Sequence, residues 1–390
     1  MEHLSLSRCA ARLSPTLPAG HAENAIIFGS GDAFPGLFPD LTAAAQTALS
    51  AYRPETLQYG TRPGLRELRE WIAGSMGEDG VKITPDEIII VNGAKHGLEL
   101  ACRMLLDEGD PIVVTAPTYF TAIPMFKSFG VEFIEVPQDD EGLDVDQLKR
   151  LLDQHKREGR RPPKFIYNIP DYHNPTGVSM SRRRRDALLE LAVSRRIPVI
   201  EDSPYRKVRF EGELVPSLKA LDHSNAVITL GTFAKLIAPG LRIGWVAAER
   251  DVIARMAQLK ADGGSCPLTQ RIIVEFAKGG GVSRHVERVQ STYRTHRDCM
   301  LAALQRWLPE ASTTVPKGGY YLWLQFPDQC DADELAKRAA HEGVIVIPGS
   351  KFFAGKSAPK NFLRLAYSYQ AGEEIDEGVR RLARAFKSMI

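Results

Sequence analysis

Between Glu87 and Ala247, seven short runs rich in β-branched residues alternate with longer amphipathic segments, and this alternation constrains the fold more than any other feature of the chain. The runs are Glu87–Val91, Pro111–Thr115, Val131–Val136, Lys164–Tyr167, Ile197–Glu201, Ala226–Leu230 and Arg242–Ala247. Several are continuously apolar, as strands covered on both faces must be. The segments between them include Gly97–Leu106, Val145–Gln154 and Arg182–Ser194, whose lengths suit crossover helices. An α/β fold is expected, its large domain built on a mostly parallel seven-stranded sheet.

After about residue 280 the pattern changes. A long polar helix over Arg284–Trp307 is followed by strand-like Gly319–Phe326, a helix at Asp331–Glu342, strands at Val344–Ile347 and Phe362–Ala366, and a closing helix at Glu373–Lys387. This predicts a smaller α+β domain at 281–390, after a large domain at 46–280. Residues 1–45 have weak periodicity and many Gly and Pro, and are expected to form an arm that contributes to the small domain and to the substrate site. There is no internal repeat and no low-complexity tract.

The chain has 390 residues, 44% hydrophobic and 25% charged, enough for a large buried core and unlike a disordered protein. Fifty Lys+Arg against forty-eight Asp+Glu leave +2, so no global footprint for nucleic acid or an anionic membrane exists. The basic run Arg182–Arg185 reads as the solvated start of a helix. Five cysteines without CxxC spacing fit a reducing compartment. With no apolar signal core and no eighteen-residue apolar window, a cytoplasmic protein is expected, and no metal site is foreseen.

Open α/β sheets bind ligands at the carboxyl ends of their strands. Four positions there draw attention. Gly93, Ala94 and Lys95 join a strand to a helix, where free N–H groups favour an anion such as phosphate, although such a turn is often only a connection. Asp202 ends an apolar strand, where a carboxylate needs a cationic or donor partner unless it caps a local turn. Lys235 sits in a loop between two strands, three residues after Thr232 and seven before Arg242; it is either a surface charge or a desolvated nucleophile. Asn174, in HNPTG, lies in a strong turn signal.

HNPTG, EDSPY, the lysine ahead of LRIGW and a late LRLAYS together resemble the fold type I pyridoxal 5'-phosphate enzymes, in particular the class I/II aminotransferases, from about residue 25 onward. The resemblance implies that Lys235 forms an imine with the cofactor and later carries the substrate's α-proton. It further implies that Asp202 pairs with the pyridine nitrogen, and that Asn174 and Tyr205 bind the ring's O3'. The phosphate would lie on Gly93, Ala94 and Lys95 with Thr232 and Arg242, and with Tyr59 reaching in from a second subunit. Tyr119 would stack on the ring, and Arg364 would clamp the substrate α-carboxylate. One departure is Ala234, where many relatives have a hydroxyl residue, so one phosphate hydrogen bond is expected to be missing.

The stretches around Tyr59, Asp32 and Tyr205 look most like the 2-aminoadipate and kynurenine (LysN-like) branch. Regulators that set a winged helix in front of the same core are disfavoured, since only about two dozen residues precede the first matching motif. The expected activity is ping-pong transamination between an α-amino acid and a 2-oxo acid, in a homodimer with shared active sites. Elimination, replacement, cyclisation or oxidation on the same cofactor is the alternative. Relatives commonly read Gly-Gly-Leu-Pro where this chain has Gly29, Ser30, Gly31 and Asp32. Gly31 and Asp32 are therefore expected to face substrate. Asp32, together with Asp171 or Asp262, would favour a cationic side chain such as that of arginine or S-adenosylmethionine, unless it merely caps a turn.

Overall fold

The computed structural model describes residues 5–14, 24–355 and 358–389. Two stretches of the expected N-terminal arm, 1–4 and 15–23, lie outside the described residues. Strand β1 (Ile26–Ile27) is followed by β2 (Ile88–Val91), β3 (Pro111–Ala116), β4 (Glu132–Asp139), β5 (Gly142–Leu143), β6 (Ile166–Asn168), β7 (Val199–Asp202), β8 (Val227–Thr232) and β9 (Gly244–Ala247).

Strands β2 to β9 form one sheet in the order β2-β9-β8-β7-β6-β3-β4-β5. From β8 to β4 every pairing is parallel. Only β9, inserted between β2 and β8, and the edge strand β5 run the other way. The seven expected strands are all present. The eighth, β5, has two residues and leaves no periodic trace in the sequence.

The continuous apolar runs are explained by two covered faces. Ile89 and Val91 pack with Leu98 and Ala101 of the helix Ala94–Leu105, while Ile88 and Ile90 pack with Leu68 and Ile72 of the helix Arg66–Glu78. Each such aliphatic side chain contributes roughly 1.5–3 kcal/mol when fully buried.

The C-terminal part carries β10 (Tyr321–Gln325), β11 (Val344–Ile345), β12 (Ile347–Pro348) and β13 (Phe362–Ala366). Antiparallel β10-β13-β12 packs against the helices Gly281–Trp307 and Gly372–Lys387. The N-terminal segment joins this layer: β1 pairs in parallel with β11, and Phe28 is fully buried in its core. A helix at Thr42–Ser50, unforeseen from TAAAQTALS, packs on the helix Pro267–Ala277. Its run of alanines gives little contrast between faces.

Two expectations need correction. Arg242 is not in a strand; it follows the turn Pro239–Leu241 with a left-handed φ of 51°. The run Arg182–Arg185 is only half solvated. Ser181 caps the helix, Arg182 and Arg183 are exposed, but Arg184 and Arg185 are buried. Arg185 donates to Met180 O, Pro170 O, Pro216 O and Asp171 Oδ1, the last at 2.6 Å, so its charge is both paired and hydrogen-bonded. Consecutive helix positions point about 100° apart, so four arginines in a row cannot share one face. Among the described residues no helix is long and apolar enough to cross a membrane.

Candidate active site

The carboxyl ends of β6, β7 and β8 meet the N-terminal segment Gly29–Asp32 and the β10-β13 pair, and the candidate side chains converge there. Lys235 lies in the turn after β8, which the buried Phe233, Leu236 and Ile237 anchor to the core. Its Nζ donates to Gly31 O at 2.6 Å and sits 4.9 Å from the centre of the Tyr320 ring. Burial pulls the amine down to about 8; Asp32 opposes the shift, and Arg364 and Arg242 add to it.

Asp202 closes β7 and is buried. Its Oδ2 accepts from the Tyr167 hydroxyl at 2.7 Å, while Oδ1 has no partner. Burial raises this carboxyl to about 6, against the lowering effect of the Tyr167 bond. An orphaned buried acceptor costs about 1–3 kcal/mol, so this site suits a ligand that brings an N–H.

Asn174 and Arg364 are both about 1% exposed, and Arg364 Nη1 donates to Asn174 Oδ1 at 3.0 Å. Arg364 Nη2 donates to Gly29 O, and Nε is buried without a partner. The guanidinium lies 4.2 Å from the centre of the Tyr321 ring, with Phe352 and Phe120 at 5.1 and 5.3 Å. Tyr205 Oη donates to Tyr321 Oη at 3.1 Å.

Where β2 gives way to the helix Ala94–Leu105, Gly93 takes φ 84° and the helix's first N–H groups have no partner within it. Arg242 Nη2 donates to Asn92 O at 3.2 Å and lies 3.0 Å from where a Cβ on Gly93 would be. Gly244 is as confined: a Cβ there would stand 2.7 Å from Ala94 N. Lys95 and Arg242 face solvent over an open cavity also lined by Asn92, His96 and Thr121. Thr232 is buried; its Oγ1 accepts from Ala234 N at 3.1 Å. Tyr119 is half-buried, its phenol pushed up to about 12 chiefly by burial, with the charge of Asp202 adding to the shift.

Tyr59 is 89% exposed, its ring 3.9 Å from where a Cβ on Gly263 would be. Asp32 is exposed at the mouth, its carboxylate held by Ser30 Oγ and its carbonyl by Ser368 Oγ at 2.6 Å. The other two carboxylates do not join it. Asp171 is buried between Arg185 and Arg206, and Asp262 is bound by Lys260, Asn92 and Gly264. A substrate cation has no call on either charge.

Among the residues of the site that escaped the sequence reading are Tyr167, Tyr321 and His173. His173 is buried, with Nε2 3.0 Å from Thr115 Oγ1 and Nδ1 3.2 Å from Thr176 Oγ1 and 3.3 Å from Gln138 Nε2. Burial pushes its pKa down to about 3, so a neutral ring locks the loop that carries Asn174.

A buried carboxylate ending β7 and a lysine in the turn after β8 are the arrangement of the pyridoxal 5'-phosphate transferases of fold type I. Residues 23–382 match the profile of aminotransferase class I and II, and the chain belongs to that family. It is 36% identical to aromatic-amino-acid aminotransferase 1 of Thermococcus litoralis, over 98% of this chain and 93% of the relative. It is 37% identical to 2-aminoadipate transaminase of Thermus thermophilus, over 93% and 90%. The crystal structure of LysN, the α-aminoadipate aminotransferase of Thermus thermophilus complexed with N-(5'-phosphopyridoxyl)-L-leucine, superposes with a TM-score of 0.90 at 34% identity, over 98% of this chain and 97% of that one. The protein is an aminotransferase, and its cofactor is pyridoxal 5'-phosphate. The residues present fit that group: Asp202 Oδ1 lacks the donor that a pyridine N–H supplies, and Ala94 and Lys95 open their helix with backbone donors suited to a phosphate, while Gly93 N–H is already given to Val91 O.

Proposed function

We propose that the chain moves the amino group of an α-amino acid to a 2-oxo acid by a ping-pong sequence, with Lys235 holding the cofactor and carrying the proton at the substrate's α-carbon. The observation that carries this reading is the place of the Lys235 amine, held against Gly31 O and the Tyr320 ring in the turn after β8, where burial lowers its pKa to about 8. Near neutral pH such an amine is partly unprotonated and able to take a proton.

When bound, the cofactor's ring draws electron density from the substrate's α-carbon. Asp202 keeps the ring nitrogen protonated, with Tyr167 fixing the carboxylate's orientation. Asn174 and Tyr205 bind O3'. Ala94, Lys95, Thr232 and Arg242 hold the phosphate, and Tyr119 covers the ring face. Arg364 clamps the α-carboxylate with the fork it now directs at Asn174 and Gly29 O.

The large domain spans 46–280 and the small one 281–390, with the N-terminal segment belonging to the small domain and to the substrate site. The exposed Tyr59 is completed by a second copy of the chain in a homodimer, where it reaches the phosphate of the neighbouring site. Five free cysteines suit the cytoplasm. At the mouth, Asp32 favours amino acids with a cationic side chain.

Borohydride reduction of the loaded enzyme followed by peptide mapping must label Lys235. An amino acid added alone must yield its 2-oxo acid in a single stoichiometric turnover. Ammonia release without build-up of the aminated cofactor overturns the transamination reading.

A further inference from the structure

Tyr321 touches three parts of the site at once. It is buried on β10, which pairs antiparallel with β13 so that Tyr321 opposes Ala366 and Trp323 opposes Arg364. Tyr321 is thus the diagonal neighbour of Arg364, a separation that an aromatic ring spans. Its ring lies under the Arg364 guanidinium at 4.2 Å. Its hydroxyl continues past the clamp to Tyr205 Oη at 3.1 Å. On its third side is Gly31: a Cβ there would stand 2.1 Å from Tyr321 Oη, and the same residue's carbonyl accepts from Lys235 Nζ.

We propose that Tyr321 is a positioning residue that sets the hydrogen-bonding strength of Tyr205 toward the cofactor's O3' and ties it to the carboxylate clamp, with Gly31 kept small to admit its hydroxyl. This rests on the assignment of Tyr205 to O3'. In the structure the two phenol oxygens are 3.1 Å apart, close enough for either to donate to the other. A phenol has one proton, so once Tyr205 gives its own to O3' its oxygen is an acceptor. The Tyr321 hydroxyl stands at hydrogen-bond distance to fill it. A donor that also accepts a hydrogen bond is a stronger donor. Density drawn from O3' in this way weakens the hold of the cofactor on the proton of its bond to Lys235.

The test compares Tyr321→Phe, Tyr321→Leu and Tyr205→Phe, each loaded with pyridoxal phosphate and followed by visible absorbance against pH. Y321F keeps the ring beneath Arg364 and loses only the hydroxyl. Its absorbance transition should move up by about 0.3–1 pH unit, the size of one neutral hydrogen bond, with KM for amino acids changed less than about twofold. Y321L should shift in the same direction and also raise KM about tenfold, because Arg364 loses its ring support. A readout of packing comes from Gly31→Ala. Alone it should weaken cofactor retention; joined to Y321F it should recover, since the nearest atom to the new methyl becomes Cζ at 3.2 Å.

If Y205F moves the transition and Y321F does not, Tyr321 lacks this role while the site assignment stands. A transition unmoved in both variants overturns the Tyr205 assignment as well. Failure of Y321F to rescue G31A removes the packing half of the proposal.

Discussion

Tyr167 donates its phenolic proton to one oxygen of Asp202 at 2.7 Å, across the adjacent parallel strands β6 and β7, and leaves the other oxygen buried and unpaired. The pairing makes the carboxylate half-satisfied before any cofactor arrives. Its pKa, about 6 against an ordinary 3.8, records that state.

This gives a sign for pH dependence in the cofactor-free protein. Between pH 4 and 6 the native carboxyl keeps its proton while the unfolded one has lost it, so this group makes stability fall as pH rises through that window. The full span is on the order of 3 kcal/mol. Asp202→Asn should lack this component, and bound cofactor should suppress it by supplying a positive partner. Thermal melts of wild type and D202N, with and without cofactor, read the difference; equal slopes in the two cofactor-free proteins refute it. In kcat, D202N should cost more than about a hundredfold and Tyr167→Phe about tenfold.

Lys235 gives the opposite slope. Its amine is held near 8, so capture of added pyridoxal phosphate should accelerate with pH through about 8 and then level off, as the neutral fraction saturates. Stopped-flow absorbance on the cofactor-free enzyme measures this. The native amine loses its proton at lower pH than the unfolded one, whose value is near 10.5, so this residue's contribution to stability rises between pH 8 and 10.5. Lys235→Ala should bind the cofactor without the visible band. A capture rate flat from pH 7 to 9 is incompatible with a desolvated amine.

The residues legible in the sequence are those set by local spacing. Lys235, Asp202 and Asn174 each end or follow an apolar strand of the large sheet within a distinctive run, and Arg364, in the middle of β13, reaches Asn174 from the second sheet. Tyr167 and Tyr321 were not legible, because their partners are fixed by strand register and by the meeting of two layers rather than by neighbours in sequence. The same limit explains Asp171. It was expected to join Asp32 toward a cationic substrate, but the paired arginines that neutralise it come from the helix starting at Arg182 and from the segment after β7.

Arg364 tests the clamp. Its fork is engaged on Asn174 Oδ1 and Gly29 O, neutral acceptors that a substrate carboxylate would, in the proposed role, replace with a charged one. Arg364→Lys keeps the charge but loses the paired geometry, and should raise KM for amino acid and 2-oxo acid alike by about 10–100-fold. The pH titration of the bound cofactor should change little. A rise in KM confined to one of the two substrates is inconsistent with a shared carboxylate site.

Tyr59 tests the dimer. It is 89% exposed, and Leu57, 62% exposed, lies two residues away. Sedimentation should give twice 43.2 kDa. Tyr59→Ala and K235A should each be nearly inactive. Refolded together, they should regain up to about a quarter of wild-type activity, because half of the mixed dimers' sites then carry neither substitution. No recovery from the mixture contradicts a site shared between subunits.

Asp32 decides the substrate reading. Its charge reaches Lys235, raising that amine's pKa against the effect of burial, whereas Asp171 and Asp262 are neutralised by their own partners. A cationic side chain entering past Asp32 meets an opposite charge, and an acidic one meets a like charge. The pair is exposed to solvent, so the expected discrimination is modest, about tenfold in kcat/KM between arginine or lysine and glutamate or 2-aminoadipate. Asp32→Asn should narrow that ratio toward one and bring the Lys235 capture midpoint below 8. The ratio should also shrink in 0.5 M salt, a concentration at which the screening length is about 4 Å. Wild-type enzyme that works far better on glutamate and 2-aminoadipate than on arginine and lysine, with a ratio untouched by D32N, would leave Asp32 as a turn residue bound to Ser30.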